Sequence, residues 1–215
     1  MLKTVLFASA ILSSGFYGCQ NSNDQKKGEN MSDPAIKEVR VFEDIPYRLG
    51  QSKSWVLDLA MPVDDSNSLR PAIVIVHGGG WRAGTKEDFV YRSMMVTYAL
   101  KGYVTVSVEY CLTQEAPVEI GPQRPEMAKP EWWPIGYISE NEIPPMLFIQ
   151  GGADPIVKPE TVDNFVAMIK QAGHTDIEYI RMDELGHDVS YSTGLNVTAP
   201  AIEKFFERTL KSVTH

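Results

Sequence analysis

Three consecutive glycines stand between a histidine and a tryptophan in the segment His77-Gly78-Gly79-Gly80-Trp81, directly after an apolar run. Glycines let the backbone bend sharply and leave successive N–H groups unobstructed by side chains. Two such N–H groups can stabilise the oxyanion of a tetrahedral intermediate in acyl transfer. A tight glycine turn or a phosphate nest would use the same residues, but no Gly-Lys-Ser or Gly-Lys-Thr follows, which argues against nucleotide binding. The segment therefore predicts an oxyanion-binding loop.

Two further polar residues follow apolar runs later in the chain, Asp154 after residues 145–150 and His187 after residues 177–182. A carboxylate can orient a histidine and stabilise its imidazolium form. Taken singly, Asp154 could be a turn residue, because Asp-Pro is a common turn pair, and His187 could be a polar loop residue. The chain order of glycine loop, aspartate and histidine favours an acid–base pair. We expect an Asp154 carboxylate oxygen about 2.6–3.2 Å from one His187 ring nitrogen, and no serine hydroxyl within reach of the other.

The elements that must position these residues can be derived from hydrophobic periodicity. Apolar or alternating runs predict strands at residues 39–42, 55–60, 71–77, 103–108, 145–150 and 177–182. Helical spacing of apolar residues predicts helices at residues 86–100, 159–172 and 200–210. This succession predicts an α/β fold with a mostly parallel sheet flanked by helices. Residues 112–143 hold several prolines and no sustained period, which predicts a long irregular loop.

Residues 57–210 resemble the α/β-hydrolase fold, and within it the esterase branch related to feruloyl and acetyl-xylan esterases. The matching stretches are IVHGGGWRAG at residues 75–84, VSVEYCL at 106–112, EAP at 115–117, PIGYIS at 134–139, PPMLFIQGGADPIV at 144–157 and GH at 186–187. The resemblance implies a Ser-His-Asp mechanism with Asp154 as the acid and His187 as the general base. It also implies a small ester or carbohydrate-linked ester as the substrate and no cofactor. The implied oxyanion-hole residues are Gly78, Gly79, Gly80 and Trp81.

The nucleophile of this family lies in a G-x-S-x-G elbow between the oxyanion loop and the acid, and that pattern is absent from the sequence. Family members also carry far more residues between these two motifs. We therefore expect that the central strand and the elbow region are missing, roughly a hundred residues, with the joint near residues 117–133. The strand at residues 73–76 would then pair with residues 147–149 or present an uncovered edge, which promotes association.

The nucleophile therefore stays unknown, although three kinds of substitute can be weighed. Ser190 and Ser192 in SYSTG at residues 190–194 come nearest to the pattern, but they follow His187 in what reads as a polar loop. Cys111 stands where the family usually has an arginine. It ends a predicted strand, and a cysteine at a strand end is typically buried and inert. Ser107 lies inside a predicted buried strand, where a substrate could not reach it.

Composition excludes several other classes of protein. The chain of 215 residues has a formal net charge of −8 and no basic stripe, which argues against a nucleic-acid partner. Two cysteines rule out a framework of several disulfides. The four histidines lack the spacing of metal ligands, so no metal site is predicted.

The N-terminus has the pattern of an export signal. One lysine and a short apolar region precede Gly18-Cys19, which predicts a lipoprotein-type signal over residues 1–18 with lipidation at Cys19. A plain signal peptide is the alternative. Residues 19–34 contain almost nothing apolar and predict a disordered tether, which leaves residues 35–215 as a truncated hydrolase domain. We expect export and a lipid anchor in the bacterial cell envelope, at the outer membrane or in the periplasm, or else simple secretion.

Two functions follow from these observations. The first is an exported carboxylic-ester hydrolase, and the second is a non-catalytic surface lipoprotein that binds carbohydrate. The second would use exposed aromatic rings as a sugar platform, although packing in the core is the commoner use of such rings. The aromatic candidates are Trp81, Tyr110, Trp132, Trp133 and Tyr137.

Overall fold

The computed structural model describes residues 4–8, 38–50, 52–63, 69–115, 138, 143–189 and 194–211. The chain divides into two compact units, Met1–Ala116 and Pro117–His215. None of the helices in the described ranges combines the length and the hydropathy that a bilayer crossing requires.

The first unit is built on one mixed sheet. Its described elements are β1 (Thr4–Ala8), β2 (Val39–Pro46), β3 (Val56–Pro62), β4 (Ala72–Val76), α1 (Phe89–Leu100) and β5 (Val104–Val108). The strand order is β1-β4-β5-β3-β2. Strand β4 runs parallel to β1 and β5, whereas β3 is antiparallel to β5 and β2. Because Val76 pairs with Val108, the residues that follow β4 and β5 leave the sheet side by side.

The core of this unit lies between the sheet and α1. The helix buries Tyr91, Met95, Tyr98 and Ala99, which recur at helical spacing on one face. On the sheet, Ile73 and Ile75 of β4 are each 2% exposed. Buried polar atoms in β5 have partners, as where Thr105 Oγ1 donates to the backbone oxygen of Met95 at 2.8 Å.

A buried ion pair joins β3 to the turn before α1. Lys86 Nζ lies 2.8 Å from Asp58 Oδ1, and both side chains are at most 3% exposed. The ammonium also lies 3.0 Å from Asp44 Oδ1 and 3.4 Å from Glu87 Oε1, whose side chains are mostly exposed. Asp58 Oδ1 in turn accepts a hydrogen bond from the backbone N–H of Asp44 at 3.0 Å. The charge of Lys86 is thus compensated inside the unit.

Strand β4 has a partner on each side. It pairs with β1 from Thr4↔Ala72 to Ala8↔Val76, and with β5 on its other edge. The expectation that residues 73–76 pair with residues 147–149 or form an uncovered edge is therefore wrong. The reason is that residues 4–8, which fall within the predicted export signal, form an extended segment that satisfies the open backbone groups of β4.

The second unit contains a parallel strand pair with two helices. Its elements are β6 (Met146–Gly151), α2 (Pro159–Gln171), β7 (Ile177–Met182) and α3 (Leu195–Phe206), followed by a π-helical turn over Glu207–Lys211. Strands β6 and β7 pair in register from Met146↔Ile177 to Gly151↔Met182. The buried cluster between them and the helices consists of Ile138, Val166, Ile169 and Ile177. Because both strands end together, the segments that follow them emerge at one edge.

The predicted strands and helices all form, with shifted ends. Helix α1 begins at Phe89 and not at residue 86, because residues 85–88 form a turn in which the Asp88 carboxylate accepts a hydrogen bond from the backbone N–H of Thr85. Helix α3 begins at Leu195 and contains Pro200 in its interior, so it continues with one backbone hydrogen bond fewer. Among the described strands, parallel pairing is confined to β1-β4-β5 and β6-β7. The expected joint at residues 117–133 lies outside the described residues.

Candidate active site

The segments that follow β6 and β7 bring Asp154 and His187 into contact. Asp154 Oδ2 lies 2.8 Å from His187 Nδ1, so the expected distance between these side chains is confirmed. The Asp154 side chain is 4% exposed and the His187 side chain 13% exposed. Water and salt therefore screen the interaction weakly.

Asp154 is held on both carboxylate oxygens. Oδ1 accepts hydrogen bonds from the backbone N–H groups of Ile156 at 2.8 Å and Val157 at 2.9 Å, and Oδ2 accepts a second one from Gln150 Nε2 at 3.2 Å. Burial alone would raise the pKa of Asp154, but the hydrogen bonds from His187 and the backbone outweigh burial and lower this pKa. Asp154 is therefore ionised at neutral pH and can only accept hydrogen bonds.

The ionised carboxylate selects one tautomer of His187. Since Asp154 only accepts, Nδ1 of the ring carries the proton that is donated, and Nε2 of the neutral ring keeps a lone pair. In the described part of the chain, Nε2 has no hydrogen-bond partner. A ring nitrogen in this state can take a proton as a general base. Ser190 and Ser192 lie outside the described residues, so the expectation about a serine hydroxyl stays a prediction.

The backbone at the end of β6 passes very close to the segment that carries His187. A Cβ atom on Gly151 would lie 1.9 Å from the backbone oxygen of Gly186 and 2.5 Å from that of Leu185. Ala153 N donates to the same Leu185 oxygen at 2.9 Å. Only glycine permits this approach, which sets the distance between the two loops of the acid–base pair.

We expect Gly151→Ala to push the two loops apart and to lower the free energy of unfolding by about 1–3 kcal/mol, the usual range for overpacking. Gly186→Ala is the matched control, because a Cβ at Gly186 would have no atom of the described residues within 4 Å. Urea unfolding of both variants provides the measurement. Equal midpoints for the two variants would contradict the steric argument.

The glycine loop, defined here as residues 77–84, has a tightly turned backbone. Gly79, Gly80 and Trp81 have φ angles of 120°, 59° and 60°. A Cβ atom on Gly79 would lie 1.8 Å from the backbone oxygen of Ala83. Gly79 O accepts hydrogen bonds from the backbone N–H groups of Arg82 at 3.1 Å and Ala83 at 3.2 Å, which close the turn.

The four residues predicted for the oxyanion hole differ in the availability of their N–H groups. Gly78 N donates to the Tyr91 hydroxyl at 2.9 Å, so this N–H holds the loop to α1 and is not a free donor. Within the described ranges, the N–H groups of Gly79, Gly80 and Trp81 have no hydrogen-bond acceptor. These three N–H groups, which follow one another along the chain, could bind an oxyanion.

His77 is anchored by Glu109, a residue that the motif search does not single out. His77 Nε2 lies 2.8 Å from Glu109 Oε1, and Nδ1 lies 2.7 Å from the backbone oxygen of Gly78. Glu109 Oε2 accepts hydrogen bonds from Thr85 Oγ1 at 2.8 Å and from the backbone N–H of Lys86 at 3.1 Å. The signal that could have found Glu109 is positional, since it follows β5 as His77 follows the parallel strand β4.

The two partners shift each other's titration. Burial would raise the pKa of Glu109, but hydrogen bonds from His77, Thr85 and the backbone lower it to about 2. Burial would likewise lower the pKa of His77, but its hydrogen bonds to Glu109 and to the Gly78 carbonyl raise it. The contact therefore favours the charged form of both side chains.

We expect the pair to stabilise the protein most between pH 4.5 and 6.5, the ordinary pKa values of these two side chains. The contribution of Glu109, whose pKa is lowered, is present above pH 4.5 and is lost as the pH falls towards about 2. The contribution of His77, whose pKa is raised, is present below pH 6.5 and is lost as the pH rises through the folded-state value. The check is the difference in unfolding free energy between wild type and Glu109→Gln, which should be largest between pH 4.5 and 6.5 and should shrink at lower and at higher pH.

Two of the alternative nucleophiles, Ser107 and Cys111, lie in the described part of the chain. Ser107 is fully buried and donates to the backbone oxygen of Lys86 at 3.2 Å, as its place in a strand predicts. Cys111 is half-buried and not fully buried as expected, because it follows β5 in a loop, where its Sγ lies 3.3 Å from Ser52 Oγ. The predicted lipidation site Cys19 lies outside the described residues.

Two of the five aromatic candidates for a sugar platform are described. Tyr110 stacks on the His77 ring with a centroid distance of 4.2 Å, so it serves the packing of the glycine loop. Trp81 is 61% exposed. The other three, Trp132, Trp133 and Tyr137, lie outside the described residues.

Residues 57–121 match the family model described as BD-FAE. This region includes the glycine loop and Glu109. No curated protein matches the sequence.

Solved esterase structures resemble the chain over most of its length. The native esterase Est2 from the Planctomycetes species Thermogutta terrifontis is 17% identical, with 85% of this chain and 96% of that chain covered and a TM-score of 0.57. Esterase 2 of the same organism, phosphoramylated by tabun, is 16% identical, with coverage of 81% and 96% and a TM-score of 0.59. Esterase B from Lactobacillus rhamnosis is 13% identical, with coverage of 80% and 86% and a TM-score of 0.54. The fold is accordingly of the α/β-hydrolase type.

Proposed function

We propose that this chain is a carboxylic-ester hydrolase in which His187 is the general base and Asp154 orients it. The observation that carries the proposal is the 2.8 Å hydrogen bond between Asp154 Oδ2 and His187 Nδ1, made by a carboxylate that further hydrogen bonds keep ionised. The BD-FAE match and the likeness to esterase structures support the same reaction class.

The proposed chemistry is acyl transfer. His187 Nε2 takes the proton of an attacking hydroxyl while the oxygen of that hydroxyl bonds to the ester carbonyl carbon. Asp154 stabilises the imidazolium that forms. The carbonyl electron pair moves onto oxygen as the tetrahedral intermediate forms. The role of the Gly79, Gly80 and Trp81 N–H groups as oxyanion donors stays a prediction. His187 then returns the proton to the alkoxide as the ester C–O bond breaks. The hydroxyl is not assigned to a residue, because G-x-S-x-G is absent.

The absent pattern leads to a proposal about the chain itself. We infer that a segment of roughly a hundred residues, with the central strand and the nucleophile elbow, is missing near residues 117–133. Catalysis then lacks the serine nucleophile of a complete triad. We expect turnover well below that of a complete triad.

For the substrate we propose an ester with a short acyl chain on a carbohydrate alcohol. Structures of Thermogutta terrifontis Est2 with butyrate and with propionate bound support the short acyl chain. The resemblance of residues 75–84 to feruloyl and acetyl-xylan esterases supports the carbohydrate. No cofactor or metal enters the proposed reaction.

We further propose that the protein acts outside the cytoplasm. Residues 1–18 would direct export, Cys19 would carry the lipid, and residues 19–34 would tether the domain to the cell envelope, so that the membrane is contacted through the anchor only. The single lysine, the apolar run and Gly18-Cys19 support this proposal. The net charge of −8 gives no support to a nucleic-acid partner.

The proposal is tested by measuring hydrolysis of p-nitrophenyl acetate and of an acetylated xylo-oligosaccharide by the full chain. We expect release of nitrophenol and acetate above the uncatalysed rate. The second candidate function, non-catalytic carbohydrate binding, is favoured by the absent G-x-S-x-G and by the exposed ring of Trp81. A folded protein with no turnover that binds xylo-oligosaccharide in calorimetry would overturn the hydrolase and support this second function.

A further inference from the structure

Both ring nitrogens of His77 face atoms that can only accept hydrogen bonds from it. Nδ1 lies 2.7 Å from the carbonyl oxygen of Gly78, and Nε2 lies 2.8 Å from carboxylate Oε1 of Glu109. A neutral imidazole has one N–H group, which would leave a nitrogen lone pair against an oxygen lone pair at one of these contacts. Both contacts are hydrogen bonds only if the ring carries two protons.

The contacts of Glu109 agree with this assignment. Besides His77, its carboxylate accepts hydrogen bonds from Thr85 Oγ1, from the backbone N–H of Lys86 and, at 3.2 Å, from the backbone N–H of Tyr110. Every partner is a donor, as an ionised carboxylate requires. His77 is 2% exposed, so its positive charge is compensated by this carboxylate and hardly by water.

The other titratable groups that face the His77 ring do not oppose its charge. Asp88, at the start of α1, contributes a further negative charge that favours the protonated ring. Burial raises the pKa of Tyr91 and of Tyr110, so both hydroxyls are neutral at pH 7. Tyr110 lies flat against the ring, with an interplanar angle of 10°. A neutral aromatic face is a favourable neighbour for a cation.

The charged ring determines the orientation of one peptide group. Gly78 O and Gly79 N–H belong to the same peptide unit, and since no described peptide bond is cis, they point in opposite directions. The hydrogen bond from His77 Nδ1 to Gly78 O therefore directs Gly79 N–H away from the ring. A peptide between two glycines can rotate at little steric cost, so its orientation has to be imposed from outside.

We propose that the His77–Glu109 ion pair is the positioning device of the glycine loop: the doubly protonated ring holds the Gly78 carbonyl and so presents Gly79 N–H as a donor. The part that this N–H plays at an oxyanion rests on the proposed function. The charge of the ring and the orientation of the peptide rest on the geometry of the first unit alone. His77 and Glu109 act through the loop, so both are positioning residues.

The test is a long-range ¹H–¹⁵N correlation on the full chain labelled in its four histidines, assigned by single His→Gln variants. This spectrum distinguishes an imidazolium from either neutral tautomer. We expect His77 to carry both protons at pH 7.5 in the wild type, and to be neutral at that pH in Glu109→Gln, which keeps the shape of the side chain. We also expect the ¹H–¹⁵N signal of the Gly79 amide to shift in this variant, since the charge-assisted hydrogen bond on the carbonyl of its own peptide unit is lost.

Glu160→Gln is the matched control, because Glu160 lies in the first turn of α2 in the other unit. It should leave both signals of the first unit unchanged. A neutral His77 in the wild type would overturn the proposal, as would a Glu109→Gln protein whose His77 titration and Gly79 amide signal match the control. Should Glu109→Gln fail to fold, the wild-type spectrum at pH 7.5 decides by itself, because a neutral His77 there overturns the proposal and a doubly protonated one supports it.

These signals need no turnover, so they separate this inference from the hydrolase. A chain without activity whose His77 is an imidazolium would leave the positioning device standing and remove the proposed function. A chain with activity and a neutral His77 would support the proposed function and overturn the positioning device.

Discussion

Replacing His187 with alanine is expected to lower kcat for p-nitrophenyl acetate by about 10²–10⁴-fold, the range that a positioned general base contributes. The variant removes the nitrogen that receives the proton. It also removes the Nδ1 atom that lies 2.8 Å from Asp154 Oδ2. Circular dichroism should show an unchanged fold, since the His187 ring hydrogen-bonds within a loop and not within the strand pair. Initial rates under saturating substrate provide the measurement.

Asp154→Asn tests the same pair through its tautomer. An amide in place of the carboxylate can donate to His187 Nδ1, which would move the ring proton to Nε2 and remove the basic lone pair. The loss in kcat should approach that of His187→Ala. The matched control is His174→Gln, because His174 Nε2 lies 2.7 Å from the backbone oxygen of Ile138 and glutamine keeps a donor. Activity retained in His187→Ala, or lost equally in His174→Gln, would remove this pair from the reaction.

The largest effect on stability is expected from Asp58→Ala, which should lower the free energy of unfolding by about 3–5 kcal/mol. Of its acidic partners in the described residues, Lys86 Nζ would keep Asp44 and Glu87, whose side chains are 69% and 61% exposed, while its own side chain is 3% exposed. Removing one partner thus leaves a charge inside the unit that water barely reaches. Urea unfolding monitored by tryptophan fluorescence gives the value.

Two controls separate the buried charge from general damage. Glu43→Ala breaks a surface pair with Arg92, whose side chains are about half exposed, and should cost about 1 kcal/mol or less. The double variant Asp58→Leu with Lys86→Met removes both charges and should recover most of the loss, because apolar replacement of a buried pair is often neutral. A double variant as unstable as Asp58→Ala would show that packing, and not charge, dominates at this position.

The order of the elements could be predicted because each one has its own local signal. The run at β4 is apolar without interruption and ends at glycines, and α2 carries Val166 and Ile169 on one face between Pro159 and Gly173. The start of α3 could not be predicted, because Pro200 resembles a first-turn proline. In the structure the helix begins before Pro200, and the buried residues Thr198 and Ile202 on either side of it pack within the helix. The pairing of β1 with β4 is a contact distant in sequence that no local pattern encodes.

The residues of the candidate site also divide into those that a local sequence signal predicts and those that it does not. Asp154 and His187 follow strand-like runs, and their contact follows from parallel strands that end together. Glu109 follows a similar run, but a glutamate after a strand has no signal of its own until the register of β4 and β5 places it beside His77. The use of Gly78 N–H by Tyr91 was equally hidden, because a helix residue and a loop glycine meet only in three dimensions.

The pairing of β1 with β4 would compete with export for the same residues. Export machinery that recognises a leader needs access to it, and the backbone of Thr4–Ala8 is already paired while it is hydrogen-bonded along Ala72–Val76. If these residues act as a leader, a newly made chain must meet the export machinery before its sheet closes. Once the leader is cut away, β4 has an open side that any free strand can join. The same five residues would then act as an export signal in a newly made chain and as a structural strand in any copy that folds before export.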